Sequence, residues 1–233
     1  MEPTTIFQDL ENICRVSTME LALENHHYLA LKPIYKWMQT TAYSAARGKM
    51  LDFGCGAMPY RDMFLDVVEE YIGADVAIAA GATPDLIIRP NEAIPVADNM
   101  FDTVLSTQTL EHVPDFVFYL NECSRVLKPK GVLILTAPMQ WRHHEEPHDY
   151  WRFTAYGLRY ALDKAGFVVK SMTPCGGAFS LAGQIILNNM VEKRGFNNKV
   201  IIKTINQAAL WLDEKYPDVG ETMNWMCLAE KKL

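Results

Sequence analysis

Short apolar runs alternate with amphipathic stretches along most of the chain, and this alternation predicts an α/β fold. Residues 101–106, for example, are apolar and β-branched, which is typical of a strand buried in a parallel sheet. Between such runs, apolar residues recur at helical spacing. The predicted strands are residues 50–53, 71–75, 85–89, 101–106, 131–137, 167–172 and 224–229, and the predicted helices between them are residues 58–68, 115–127 and 155–165.

Two further helical stretches lie outside this alternation. Residues 1–47 are predicted to form an N-terminal helical cap, and residues 176–216 a helical insertion before the last strand. The cap either packs on the sheet or closes over its edge as a lid. The insertion is either a pocket wall or the contact face of a homodimer. In the lid interpretation, the aromatic residues that would line a pocket are Tyr28, Tyr35, Trp37 and Tyr43.

Composition limits the class of protein. With 233 residues, 49% of them hydrophobic, the chain can form one domain with a substantial core. A net charge of −6 disfavours a nucleic-acid partner, which needs a basic surface. The five cysteines are scattered singly, as expected for reduced thiols rather than a disulfide framework or a zinc site. No signal peptide and no membrane-spanning run is evident, so the expected location is the cytoplasm.

The stretch around residue 54 carries the strongest functional signal. The apolar run 50–53 ends at Gly54-Cys55-Gly56, where missing side chains allow a sharp turn and let a ligand lie against the backbone amides. Asp75 ends the next predicted strand about 20 residues later, the offset at which a carboxylate reaches ribose hydroxyls. The pattern predicts a nucleotide site in the first strand-to-turn crevice. The alternative is a tight turn with a surface aspartate.

Two residues argue against a dinucleotide. Dinucleotide sites use G-x-G-x-x-G, but Pro59 stands where the third glycine would be. Asp52 is expected to face the mouth of the crevice, where a carboxylate suits a cationic ligand. S-adenosylmethionine carries both a sulfonium and an ammonium group. At Leu51-Asp52-Phe53-Gly54-Cys55-Gly56 the sequence resembles the class I S-adenosylmethionine-dependent methyltransferases, and most closely their type 11 group.

The resemblance covers residues 48–175, including the segments Leu110-Glu111-His112-Val113 and Arg125-Val126-Leu127-Lys128-Pro129. It implies a Rossmann-like, seven-stranded, mostly parallel sheet with helices on both faces, and S-adenosylmethionine as the cofactor. Pro90 replaces the acid that contacts adenine in relatives, so Asn91 is expected to bind the adenine amine. The predicted cofactor-binding residues are Asp52, Gly54, Cys55, Gly56, Asp75, Val76, Asn91, Glu92, Thr107 and Gln108.

Residues 138–154 are the most informative stretch for chemistry, because they follow a central strand and contain three histidines and three acids. Their segment His-Asp-Tyr-Trp-Arg-Phe-Thr resembles a run in a subset of type 11 proteins that look like tailoring enzymes of saccharides or secondary metabolites. A histidine here could take a proton from an acceptor hydroxyl. His148 and His144 are the predicted catalytic bases.

Other interpretations of this loop stay open. A divalent ion could be bound, but the spacing of the candidate ligands matches no standard pattern, so no metal site is predicted. Alternatively, the loop is packed, and Trp151, Arg152 and Phe153 staple the next helix to the sheet. His112 is predicted to orient its loop rather than to act as a base. The candidate metal ligands are His143, His144, Glu145 and His148.

The sequence therefore predicts methyl transfer from S-adenosylmethionine to a small molecule, with a hydroxyl of a saccharide or secondary metabolite as the favoured acceptor. Neither a nucleic acid nor a membrane is an expected partner. Two other functions stay open. One is a non-catalytic methyltransferase-like protein that binds the cofactor or a partner. The other is an NAD-dependent oxidoreductase, which Pro59 and Asp52 disfavour.

Overall fold

The computed structural model describes residues 21–76 and 83–233, and a seven-stranded sheet forms its centre. In chain order the strands are β1 (Lys49–Phe53), β2 (Glu70–Asp75), β3 (Leu86–Ile87), β4 (Phe101–Thr107), β5 (Leu127–Pro138), β6 (Phe167–Pro174) and β7 (Asn224–Lys231). Their order in the sheet is β3-β2-β1-β4-β5-β7-β6. β7 runs antiparallel to both neighbours, and the other pairs are parallel. The predicted Rossmann-like sheet is confirmed.

This strand order places a ligand crevice between β1 and β4. The chain builds outward from β1 through β2 to β3 and then returns to the other side of β1 as β4. Open α/β sheets bind ligands at the carboxyl ends of strands where the order reverses in this way. The glycine turn after β1 and the residues after β4 therefore face the same crevice.

Helices cover both faces of the sheet, as predicted. Leu120 and Leu158 are fully buried against one face, and Ile34 and Ile202 pack in a second core cluster with residues of the insertion. No described helix is long and apolar enough to cross a bilayer. In chain order, the described α-helices of four or more residues are α1 (Tyr28–Trp37), α2 (Arg61–Phe64), α3 (Phe116–Val126), α4 (Ala155–Lys164), α5 (Ala178–Asn188) and α6 (Lys199–Lys215).

The helical insertion is confirmed, and it packs closely on α1. A Cβ at Gly183 of α5 would lie 3.0 Å from Leu29 and 3.2 Å from Ala209, so a side chain where the three helices meet would require these neighbours to shift by a few tenths of an ångström. Trp37, predicted as a pocket residue of a lid, is instead a core residue with 5% exposure. The apolar residues predicted to be helical before residue 21 lie outside the described residues.

The helix predicted over residues 58–68 is shorter than expected, because only Arg61–Phe64 is helical. Met58 has a φ of +53°, which no α-helix accommodates, and Pro59 lies in the same turn.

The start of α4 is as the sequence predicted. The Thr154 hydroxyl accepts a hydrogen bond from the Gly157 amide at 3.1 Å and caps α4.

Candidate active site

The glycine turn after β1 is held against the end of β2. The amides of Gly54 and Cys55 both donate to the Ala74 carbonyl, at 2.8 and 3.2 Å. The Gly56 amide donates to Asp75 Oδ2 at 2.7 Å. These three amides were expected to face a ligand, and the structure instead uses them to fix the turn. A ligand would therefore lie against the free space beside Gly56, where an added Cβ would meet no atom within 4 Å.

Asp75 lies at the carboxyl end of β2 and is half-buried. Its Oδ1 accepts from the Val76 amide at 2.6 Å, and its Oδ2 accepts from Gly56. Each carboxylate oxygen can accept a second hydrogen bond, so both remain able to bind a pair of ribose hydroxyls. The structure thus joins the two halves of the sequence pattern, the turn and the acid.

Asp52 does not face the mouth of the crevice, which corrects the sequence expectation. Its side chain is 1% exposed, and its Oδ2 accepts from the Tyr71 hydroxyl at 2.5 Å. Its Oδ1 has no hydrogen-bond partner in the described part of the chain. Burial raises the pKa of this carboxyl to about 7, although the Tyr71 hydrogen bond opposes the shift. Asp52 can therefore act on a ligand through its charge, beneath the turn.

The end of β4 closes the other side of the turn. Gln108 has a φ of +50°, and its Nε2 donates to the Thr136 hydroxyl at 2.9 Å. Thr107 is half-exposed at the same strand end. Thr109, which sequence reasoning missed, donates through its hydroxyl to the Gly54 carbonyl at 3.3 Å. A strained non-glycine backbone of this kind is often found at ligand sites, and Gln108 and Thr107 stay predicted to contact the cofactor.

The predicted adenine contacts lie on exposed backbone. Asn91 has a φ of +58° and is exposed. Glu92 is also exposed and lies 3.7 Å from Arg89 in a surface ion pair. Val76, beside Asp75, is 51% exposed. Among the described residues, no hydrogen bond ties Asn91 to the turn, so its role in binding adenine stays a prediction.

Four ionisable side chains gather at the crevice, and we call them the histidine–carboxyl cluster: Glu111, His112, His144 and Glu145. Two of them come from the 3₁₀ turn Leu110–His112, which directly follows β4. The other two come from the loop after β5, which folds back over that turn because the Tyr150 and Trp151 amides donate to the Glu111 carbonyl at 2.9 and 3.2 Å.

Burial dominates the electrostatics of the cluster. The Glu111 carboxyl is 0% exposed, and neither of its oxygens has a hydrogen-bond partner among the described residues. Burial raises the pKa of Glu111 to about 8. Burial also lowers the pKa of His144 to about 4, with the neighbouring His112 adding to the shift. Desolvation raises the pKa of Glu145 as well.

His112 connects the two loops. Its Nδ1 lies 2.8 Å from the His148 carbonyl, and its Nε2 lies 3.8 Å from Glu111 Oε1 and 3.5 Å from Glu145 Oε2. The His144 ring meets the His112 ring edge-on, with centroids 4.7 Å apart. The prediction that His112 orients its loop is confirmed by the bond to His148.

The two predicted bases differ in position. The His144 side chain is 16% exposed and lies inside the cluster. The His148 side chain is exposed, and its Nδ1 lies 3.1 Å from the Tyr150 hydroxyl. His143 is 87% exposed, and neither it nor His148 is among the described ligand atoms that converge, so the four metal ligands weighed from the sequence do not come together. The converging set contains Glu111, to which sequence reasoning gave no role.

Three residues near the end of this loop fix its path. Trp151 donates through Nε1 to the Val113 carbonyl at 2.9 Å, and its ring packs edge-on against Phe116. Phe153 packs on the same Phe116 ring and is 6% exposed. Arg152 binds Asp149 with two nitrogens, at 2.6 and 2.8 Å. These residues pack the loop, as predicted, but the ring contacts of Trp151 and Phe153 are with Phe116 of the preceding helix α3, whereas the sequence predicted that they staple the following helix to the sheet.

A cavity of about 400 Å³ lies beyond the carboxyl end of β5. One wall is the loop after β5, which contributes Trp141, and the other is α5 of the insertion, which contributes Gln184 and Asn188. Gln184 is 1% exposed, and its Oε1 has no partner in the described chain. α5 of the insertion therefore lines this cavity, and the two roles predicted for the insertion, a pocket wall or a homodimer face, stay predictions.

Replacing Gly54 with alanine is expected to cost about 2 kcal/mol of unfolding free energy, because its φ of +78° is strained for alanine and a Cβ would lie 2.2 Å from Thr109 Cγ2. Gly56→Ala is the matched control. Its Cβ would meet no atom, so it should cost less stability while weakening S-adenosylhomocysteine binding. Urea unfolding and calorimetry measure both effects. Equal stability of the Gly54→Ala variant and the wild type would contradict the packing described.

The family comparison matches residues 51–135 to the family described as a methyltransferase domain. The match runs from β1 into β5 and includes the glycine turn, Asp75, Glu111 and His112. It leaves out the loop after β5 and the insertion. Among solved structures, the chain is similar to the (4+2)-cyclase SpnF, with a TM-score of 0.57 and 22% identity over 87% of this chain and 80% of that chain. At this identity the likeness supports the fold alone.

Two curated relatives extend the comparison. The chain is 32% identical over 176 residues to a Mycolicibacterium smegmatis protein described as a probable S-adenosylmethionine-dependent methyltransferase, covering 70% of this chain and 66% of that protein. It is 35% identical over 97 residues to the ubiquinone biosynthesis O-methyltransferase of Cereibacter sphaeroides, covering 37% of this chain and 39% of that protein. The chain thus spans just under two thirds of the first relative and well under half of the second.

Proposed function

Because the chain belongs to the class I S-adenosylmethionine-dependent methyltransferases, we propose that it transfers the methyl group of this cofactor to a hydroxyl of a small acceptor, a saccharide or secondary metabolite. One observation carries the proposal. The glycine turn and Asp75 meet at the crevice, with the Gly56 amide 2.7 Å from Asp75 Oδ2, beside a loop that holds the cluster of ionisable side chains.

The residues at the crevice fit the cofactor. An adenosyl group would lie in the open space beside Gly56, Asp75 would offer two carboxylate oxygens to the ribose hydroxyls, and the buried carboxyl of Asp52 would lie beneath the cationic end. When bound, the cofactor supplies a methyl group on a positively charged sulfur. The chain's own residues need to hold the acceptor in line, exclude water and take up a proton.

Two observations favour a hydroxyl acceptor. The name of the Cereibacter sphaeroides relative specifies O-methylation. The loop after β5 also carries an imidazole that could serve as the base that a hydroxyl acceptor needs, and His148 is the proposed base. With its Nδ1–H donating to the Tyr150 hydroxyl, 3.1 Å away, the Nε2 of the ring can take a proton. His144, the second predicted base, is more enclosed.

The cavity beyond β5 supports a hydroxyl-rich acceptor. The side-chain amides of Gln140, Gln184 and Asn188 line it, and Trp141 offers an aromatic face. Gln184 Oε1 has no partner among the described residues and can accept from an acceptor hydroxyl. An aromatic face suits the apolar side of a sugar or of another ring.

Calorimetry tests the cofactor, and product formation tests the reaction. S-adenosylmethionine and S-adenosylhomocysteine are expected to bind the full chain, and NAD is not. Release of S-adenosylhomocysteine is then followed over a panel of saccharides and phenols. Binding of NAD alone would overturn the proposal. Cofactor binding with no turnover over the panel would favour either a non-catalytic role or a reaction of another class, since the fold also occurs in a cyclase.

Replacing His148 with alanine is expected to lower kcat about tenfold, which is below the hundredfold or more that is typical of a general base, because the imidazole is solvent-exposed and water can partly replace it. The affinity for S-adenosylhomocysteine should not change. His143→Ala removes an exposed imidazole from the same loop and should leave kcat unchanged. Full turnover in the His148→Ala variant would show that another group, or none, takes the proton.

A further inference from the structure

Glu111 is a buried carboxyl with no hydrogen-bonded counterpart among the described residues, although the more distant charge of Arg152 acts on it. It is 0% exposed, and both of its oxygens lack a hydrogen-bond partner among the described residues. A buried carboxyl in this state is costly unless a proton or a cation compensates it. The atoms nearest to it that could share such a cation belong to the histidines of the cluster.

His112 presents a bare nitrogen toward two carboxyls. Its Nδ1–H donates to the His148 carbonyl at 2.8 Å, which leaves a lone pair on Nε2. That Nε2 lies 3.8 Å from Glu111 Oε1 and 3.5 Å from Glu145 Oε2, too far for good hydrogen bonds. A histidine whose second nitrogen donates to a backbone carbonyl is the usual arrangement of a metal ligand.

His144 completes a compact set of donors. One ligand atom each from Glu111, His112 and His144 lies within 4.8 Å of the other two. Ligands about 2.1 Å from a tetrahedral ion are separated by about 3.4 Å. Small side-chain rotations about an ion would therefore bring these three donors into coordination.

A second group in the same protein shows what a compensated cluster looks like. His26 and His27 lie 3.7 and 3.3 Å from Glu192 Oε1. There, however, Arg142 already supplies a cation, with its Nη2 2.8 Å from Glu192 Oε2. Glu111 has no such arginine within hydrogen-bond distance in the described chain.

We propose that Glu111, His112 and His144, with Glu145 as a further ligand, form a site for one divalent transition-metal ion of the zinc type. Two carboxylates balance the charge of the ion, and imidazole nitrogens with carboxylate oxygens are ligands that zinc accepts. The site lies where the loops after β4 and β5 meet. Its further role, which rests on the proposed function, is to bind the acceptor oxygen and lower the pKa of that hydroxyl. Because His144 would bind the ion, His148 is the base in this proposal.

Metal binding is measured directly on the full chain. The chain is stripped with a chelator, reloaded with Zn²⁺ or Co²⁺ and dialysed, and its metal content and Co²⁺ absorption spectrum are recorded. About one ion per chain is expected, with a Co²⁺ spectrum typical of low coordination number. His144→Ala and Glu111→Gln should weaken binding at least tenfold. His143→Ala and Glu192→Gln, which alter the exposed imidazole and the arginine-paired cluster, should keep it.

Each outcome decides the proposal. Loss of the ion in the site variants alone supports it, and unchanged affinity for S-adenosylhomocysteine shows that those variants fold. If Glu111→Gln does not fold, His144→Ala carries the test, because its side chain is at the edge of the core. No bound ion in the wild type, or equal loss in the controls, would overturn the site. Turnover that persists unchanged after chelation would overturn the metal's role while leaving the methyltransferase function intact.

Discussion

Replacing Asp75 with alanine is expected to weaken S-adenosylhomocysteine binding about a hundredfold. The carboxylate lies at the end of β2, half-buried, with both oxygens able to accept a ribose hydroxyl. A hydrogen bond to a charged group contributes about 1.5–3 kcal/mol, so two of them amount to about 3 kcal/mol. That free energy corresponds to about two orders of magnitude in Kd. Isothermal calorimetry measures it.

Controls separate the ribose contact from the structural role of Asp75. Asp75→Asn keeps an oxygen for the Gly56 amide and loses the charge, so its affinity should lie between wild type and alanine. Asp66→Ala removes an exposed acid and should change nothing. A 2′-deoxy analogue of the ligand should lose affinity for the wild type but little for Asp75→Ala. An unchanged dissociation constant for Asp75→Ala would remove this residue from the site.

The sheet could be predicted because its signals are local. The apolar run of β4 and the turn after β1 each carry their own pattern, and the chain order of strands and helices then fixes the class. Helix caps such as Thr154 are local too, because a hydroxyl three residues before an amide needs no distant partner. The helix over residues 58–68 was overestimated because the positive φ of Met58 depends on how the turn is seated on β2.

The site was predicted in part. The pairing of the glycine turn with Asp75 follows from spacing, and the structure joins them with one hydrogen bond. The orientation of Asp52 does not follow, because its partner Tyr71 lies on the neighbouring strand, beyond the reach of local pattern. The cluster was missed for the same reason. Glu111 and His144 are distant in sequence and meet only because the Tyr150 and Trp151 amides fold one loop onto the other.

Asp52 is expected to make the cofactor-free protein less stable as the pH rises through about 7. Its carboxyl is 1% exposed, and burial raises its pKa from 3.8 to about 7. The folded chain therefore holds this proton more tightly than the unfolded chain. The stabilisation is complete below about pH 4 and is lost as the pH passes through the folded-state pKa. A shift of about three units corresponds to about 4 kcal/mol.

Urea unfolding at pH 4.5 and pH 8 measures this loss of unfolding free energy, by comparing the wild type with Asp52→Asn. Asp52→Asn keeps an oxygen for the Tyr71 hydroxyl but cannot ionise, so its stability relative to wild type should rise by about 3 kcal/mol between the two pH values. The comparison of the wild type with Asp52→Asn is needed because other buried groups also change the stability with pH: the pKa of Glu111 is raised, and that of His27 is lowered. Asp66→Asn, an exposed carboxylate, should follow the wild type.

Ligands then test whether Asp52 acts on the cofactor. Bound S-adenosylmethionine brings positive charge near the buried carboxyl, which favours its ionised form and lowers its pKa. The loss of stability between about pH 4 and pH 7 should therefore shrink when the protein is saturated with S-adenosylmethionine. It should persist with 5′-methylthioadenosine, which lacks both the sulfonium and the amino-acid part. If the unfolding free energy changed equally with pH in the presence of either ligand, Asp52 would lie outside the field of the cofactor's charges. If the wild type and Asp52→Asn showed the same pH dependence, this carboxyl would titrate at its ordinary pKa.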